Sequence, residues 1–138
     1  MSRPRVGAYG VALQDGKILL AQKTAGPLTG AWDLPGGGVE FGETPEQALA
    51  REFLEETAYV LESHQLIGTD SMHGISDRPY HFVGILYSVT VSGRDETVEP
   101  DEEARWVSLD ALDAIQLTPF AKKGLSLLQL GSQVATMD

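Results

Sequence analysis

Residues Gly36 to Tyr59 read GGGVEFGETPEQALAREFLEETAY, and the fold turns on how this stretch is understood. Three consecutive glycines open it. They permit a tight turn with positive φ and let backbone groups approach a ligand without a side chain in the way. No Gly-Lys-Ser/Thr follows, so the glycines do not form a P-loop. A helix start comes next, with Thr44 as N-cap, Pro45 at the first helical position and Gln47 closing a capping box. Leu49, Phe53 and the pair Ala50/Leu54 recur at helical spacing and are expected to face the core. Glu52, Glu55 and Glu56 stand at i, i+3 and i+4, so their carboxylates project from one face. Arg51 can pair with Glu55 at i+4, but one cation does not neutralise three acids. A hard divalent cation with oxygen ligands does, and magnesium or manganese also brings substrate phosphates into its coordination shell. The plain alternative is a solvated helix face. The rigid turn before the acids and the apolar face opposite them weigh against it.

Upstream, Val6 to Leu13 is mostly apolar and reads as a strand, Gln14-Asp15-Gly16 supplies a turn, and Lys17 to Gln22 is the partner strand. GPLTG, from Gly26 to Gly30, is a loop ahead of the short apolar segment AWDL. Downstream, Tyr59 to Leu66 and Tyr80 to Val91 read as strands, with Gly68 to Pro79 as a loop between them. Arg105 to Val107 is a further short strand leading into a helical turn at Leu109 to Leu112. A last amphipathic helix begins at Thr118-Pro119 and is expected to end near Gly131. The expected class is α/β (α+β): a mixed β-sheet flanked by helices on both faces.

At 138 residues the chain holds one core, so residues 1–138 are expected to form a single domain. No apolar run reaches the length that spans a membrane. A net charge of −10 repels the backbone of DNA or RNA, which argues against a nucleic acid polymer as partner. Small phosphorylated ligands remain open, because divalent cations reverse the sign of the field locally. The absence of cysteine excludes disulfides, thiolate metal sites and cysteine nucleophiles. The N-terminal MSRPRVGAYG has two arginines and no apolar segment before a small-residue cleavage site. Both features fit a cytoplasmic enzyme.

On these residues, Gly37 to Tyr59 resembles the signature of the Nudix hydrolases, G-x5-E-x7-R-E-U-x-E-E-x-G-U, with U a bulky apolar residue. Gly37, Glu43, Arg51, Glu52, Phe53, Glu55 and Glu56 fall on it in register. Ala58 stands where the family has glycine, and Tyr59 is a less typical final residue. The AWDLPGG and RWVSLDAL segments also look like Nudix proteins, and the small single domain resembles the MutT-like members. The resemblance implies an α/β/α sandwich and metal-dependent hydrolysis of a phosphoanhydride bond in a nucleoside diphosphate derivative. Nucleoside triphosphates and oxidised nucleotides such as 8-oxo-dGTP are the candidate substrates it suggests.

It further implies that Glu55 and Glu56 bind Mg2+ or Mn2+ with help from the Gly36 carbonyl. Glu52 would bind metal or act as general base, Arg51 would orient Glu52 or Glu55, and Glu43 would support that network. Gly37 and Gly38 would meet the substrate. Family members often add an acid from a distant loop; Glu99 is the first candidate and Glu103 the second, a solvated acidic loop being the alternative. Of His64, His73 and His81, His81 is the one expected to meet a substrate, against its reading as an ordinary strand histidine. Trp32 and Trp106 read as packing residues, while Phe41, Tyr80 and Phe82 are candidates for stacking on a base. Dimers are common in the family, so a homodimer is compatible. The competing reading is a non-catalytic nucleotide-binding regulatory module on the same fold, against which the intact acidic cluster stands.

Overall fold

The computed structural model describes residues 3–75 and 78–128. Strands β1 (Arg5–Gln14) and β2 (Lys17–Gln22) form the expected hairpin. Asp15 and Gly16 take φ of 53° and 75° in its turn, the left-handed conformations that a two-residue hairpin demands. Strand β1 is central. It runs parallel to β6 (Tyr80–Arg94), which makes the sheet mixed, and β6 is flanked by the antiparallel outer strand β5 (Tyr59–Gly74). Strands β3 (Trp32–Asp33) and β7 (Ala104–Ser108) both pair with β2, and β4 (Gly36–Gly38) pairs with the first half of β1. Helices α1 (Pro45–Thr57) and α2 (Pro119–Leu127) complete the layers, with a 3-10 helix at Leu109–Ala114.

Period-2 alternation splits the core into two clusters, one on each face of the sheet. Ala8, Ala12, Leu19, Tyr87 and Val89 pack with Leu49 and Phe53 of α1. Val11, Ile18, Leu20 and Leu86 pack with Phe120, Ala121 and Leu125 of α2. Burying Phe53 alone contributes about 1.5–3 kcal/mol. The expected sandwich is therefore present.

Three expectations change. The glycine run is not a free loop but strand β4, and its closeness to β1 is why Gly36 has no side chain: a Cβ there would overlap the Ala8 carbonyl and lie 2.7 Å from Tyr9 Cα. The stretch Gly68 to Pro79 is not all loop, because β5 stays paired with β6 to Gly74↔Tyr80. An outer strand buries little, so this segment carries no apolar alternation that would reveal it. On α1, Ala48 and Thr57 are buried with Leu49 and Phe53, whereas Ala50 is exposed and Leu54 half-buried. The end of the last helix near Gly131 lies outside the described residues.

The ends of α1 follow the sequence closely. Thr44 Oγ1 accepts from Gln47 N at 3.1 Å, and Gln47 Oε1 accepts from Thr44 N at 2.9 Å. At the other end Ala58 takes the left-handed conformation, φ 66°, that the expected glycine would adopt freely. Alanine there costs on the order of 1 kcal/mol relative to glycine, and the burial of its methyl recovers part of that. Ala58→Gly is expected to raise Tm by about 1–3 °C with turnover unchanged. A thermal melt and a kcat measurement check this, and a lower Tm refutes it.

Candidate active site

The acids of α1 do not act as one set. Arg51 is the hub of the first group. Its Nε and Nη2 donate to Glu43 at 2.7 and 2.9 Å, its Nη1 to Glu52 and Glu55 at 2.7 and 3.0 Å, and Nη2 also to the Gly38 carbonyl at 3.0 Å. A planar guanidinium offers this fork of donors; an ammonium does not. Glu40 N donates to Glu43 Oε1 at 2.9 Å, so the loop before the helix is tied to the same hub. The sequence placed Glu43, Arg51, Glu52 and Glu55 in one network, and the structure brings all four together.

Arg51 holds the Glu43 carboxyl down to about 2, mainly through its hydrogen bonds. The folded value lies below the unfolded one of about 4–5, so the stabilisation from Glu43 is complete above that range and disappears as pH falls towards 2. The difference in Tm between the wild type and Glu43→Gln is expected to be constant near neutral pH and to close progressively below pH ~4. A gap that stays open at the acid limit would contradict the pairing.

Glu56 belongs to a second group. Its Oε1 accepts from Gly36 N at 3.1 Å, and the acid facing it is Glu102, neither Glu99 nor Glu103. Burial, and then the Glu102 charge, push the Glu56 carboxyl well above the usual carboxylate range. Glu102 Oε1 is buried with no hydrogen-bond donor. Two facing carboxylates with an orphaned oxygen need either a shared proton or a cation between them. This donor set of hard oxygens fits Mg2+ or Mn2+. Among the described residues no three Asp, Glu or His side chains converge as a finished cage. Glu56 and Glu102 face each other as a pair, while Arg51 engages Glu43, Glu52 and Glu55.

Beside them lies a cleft of about 270 Å3. Gly36, Gly37 and Gly38 line it, and Glu52 and Glu56 reach it past these glycines. A Cβ on Gly37 would meet the Glu52 carboxylate, so any side chain there would push Glu52 from the position that Arg51 gives it. Burial raises the Glu52 carboxyl, while Arg51 opposes that. Arg5 and Lys23 bring positive charge to the walls, and Met72 and Phe82 bring apolar surface. Asp33, Lys23 and Tyr9 escaped the sequence reading. Asp33 is 5% exposed and accepts from Thr118 Oγ1 at 2.6 Å and from Leu34 N at 2.8 Å. Its signal was an acid within the otherwise apolar AWDL.

The remaining candidates sort by strand alternation. Phe82 lines the cleft, with Tyr80 stacked on it at 5.4 Å, whereas His81 points to the opposite face of β6. Glu99 is exposed, and Glu103 pairs with Arg105 instead. The acid rows from Asp95 to Glu103 look alike in sequence; only the path of the chain selects Glu102. Trp32 is buried in the core and Trp106 donates to Tyr59 Oη at 2.8 Å, both packing as expected. Phe41 is fully exposed, away from the cleft lining.

A mixed sheet between helices, with this acid-bearing helix behind a glycine strand, defines a class. The family model described as the NUDIX domain matches residues 1–128, and the chain belongs to the Nudix hydrolase family. Over 110 residues it is 36% identical to the ADP-ribose pyrophosphatase of Methanocaldococcus jannaschii, covering 79% of this chain and 64% of that protein. It is 32% identical over 108 residues to the oxidized purine nucleoside triphosphate hydrolase of Danio rerio, covering 78% of this chain and 68% of that protein. Among solved structures, the MutT NUDIX hydrolase from Burkholderia pseudomallei superposes with a TM-score of 0.76 at 34% identity, over 91% of this chain and 98% of that one. No described helix is long and apolar enough to cross a membrane.

Proposed function

We propose that this protein hydrolyses a phosphoanhydride bond in a nucleoside diphosphate derivative, with Mg2+ or Mn2+ as cofactor and in a cytoplasmic setting. The observation that carries this reading is the Glu56–Glu102 pair at the cleft edge, with its orphaned buried oxygen. Glu56, Glu102 and the Gly36 carbonyl would hold the ion, with Glu55 and Glu52 within the same helix face. When bound, the ion neutralises phosphate charge and lowers the pKa of water.

The chain's own residues supply the rest. Glu52 keeps one oxygen on Arg51 and lines the cleft, so it is the residue suited to accept a proton from the attacking water. Burial raises its basicity, and Arg51 fixes its direction. Arg51 and Glu43 are positioning residues. Lys23 and Arg5 suit the substrate's phosphates, and Met72 and Phe82 its nucleoside. The relatives' names point to ADP-ribose and oxidised purine nucleoside triphosphates as the first substrates to try.

The deciding experiment is a magnesium-dependent screen over ADP-ribose, nucleoside triphosphates, oxidised nucleotides, sugar nucleotides and dinucleoside polyphosphates, with products identified by mass. Turnover of one class supports the reading; magnesium-independent binding without turnover of any class favours a regulatory module. Glu102→Gln separates the metal role from mere packing. It removes like-charge repulsion, so the metal-free protein is expected to melt higher, while the Tm increase on adding magnesium shrinks and kcat falls about tenfold or more. An undiminished response to magnesium would remove Glu102 from the site.

A further inference from the structure

His73 on β5 and His81 on β6 are directly opposite each other across the antiparallel ladder. Their ring centroids are 5.9 Å apart with planes inclined at 66°. Residues facing each other across such a ladder have Cβ atoms about 4.5–5.5 Å apart, which sets their side chains next to each other on one side of the sheet. With metal–nitrogen bonds of about 2.0–2.1 Å, two imidazoles on one tetrahedral ion place their centroids roughly 5 Å apart. A shared ion would bring the two rings about 1 Å closer than the 5.9 Å between them here. The histidines are not in the cleft: their strand neighbours Met72 and Phe82 face the other way and line its wall.

We infer that His73 and His81 form a two-histidine site for a borderline transition ion such as zinc or nickel, separate from the acidic site. The two sites differ in ligand chemistry. Neutral imidazole nitrogen suits zinc, nickel and copper, whereas the carboxylate and carbonyl oxygens around Glu56 suit magnesium. His73 is exposed and His81 half-buried, so the site is open on one side and water completes the coordination. A net charge of −10 attracts cations to the protein as a whole. The ion would join the two longest strands across their far end, where the register runs from Met72↔Phe82 to Gly74↔Tyr80. This assignment does not depend on the hydrolase reading.

The test is a calorimetric titration of the full, tag-free chain with NiCl2, and separately with ZnCl2, in excess MgCl2 to fill the oxygen site. One equivalent is expected to bind to the wild type and to raise its Tm. Both effects are expected to be lost in His73→Ala and in His81→Ala, and kept in His64→Ala and in Glu56→Gln. All of these substitutions alter exposed or half-buried positions, and circular dichroism verifies that each variant is folded. As a second measurement, Cu2+ should broaden the amide resonances around residues 73 and 81 selectively. Absence of binding in the wild type, undiminished binding in either histidine variant, or loss of binding in Glu56→Gln would each overturn the assignment.

Discussion

Glu56→Gln is expected to abolish most turnover while leaving the protein folded and, without metal, more stable. The amide is the same size and its oxygen still accepts from Gly36 N, so the contact at 3.1 Å survives. The charge does not. Losing an anionic ligand at the phosphate-binding ion removes transition-state stabilisation on the scale of a preorganised electrostatic contact, about 10²-fold or more in kcat. Stability moves the other way, since a buried carboxylate opposite Glu102 is unfavourable when no cation lies between them. Measuring kcat at saturating magnesium, together with Tm in chelator, tests both signs. Wild-type turnover in Glu56→Gln would sink the assignment, and so would a lower metal-free Tm, because it would show that the charge stabilises the fold.

Arg51→Lys should be almost as damaging, although it conserves charge. Lysine reaches one or two of the partners, whereas Arg51 makes five hydrogen bonds to Glu43, Glu52, Glu55 and Gly38. Releasing Glu52 lets it turn from the cleft, and loss of such a supporting partner lowers metal affinity or activity by about 10–100-fold. The fall is expected in kcat and in magnesium affinity, with a smaller change in KM for the nucleotide. Arg51→Ala adds a loss of stability of about 1–3 kcal/mol, because three carboxylates are then left without their donor. A lysine variant with wild-type kcat would show that charge alone, not the fork, does the positioning.

Much of this was legible from Gly36 to Tyr59. The cap at Thr44, the left-handed end at Ala58, and the grouping of Glu43, Arg51, Glu52 and Glu55 are local, set by offsets of a few residues along one helix. Short-range geometry is readable because the helix repeat is constant. The role of the glycines was read less well. They form a strand against β1; the nearness of the Ala8 backbone forbids a side chain at Gly36, while one at Gly37 would displace Glu52. That contact joins parts of the chain which no periodicity connects.

The sequence by itself therefore determined the family, the helix that bears the chemistry and its network of charges, because each depends on spacing within a single element. Only the tertiary structure divided the three acids, giving Glu52 and Glu55 to Arg51 and setting Glu56 against Glu102. It also turned His81 away from the cleft and towards His73. Both outcomes depend on how distant strands and loops come into register. In a row of acids like that from Asp95 to Glu103, each residue carries the same local signal, so only position in space separates a ligand from a solvated charge.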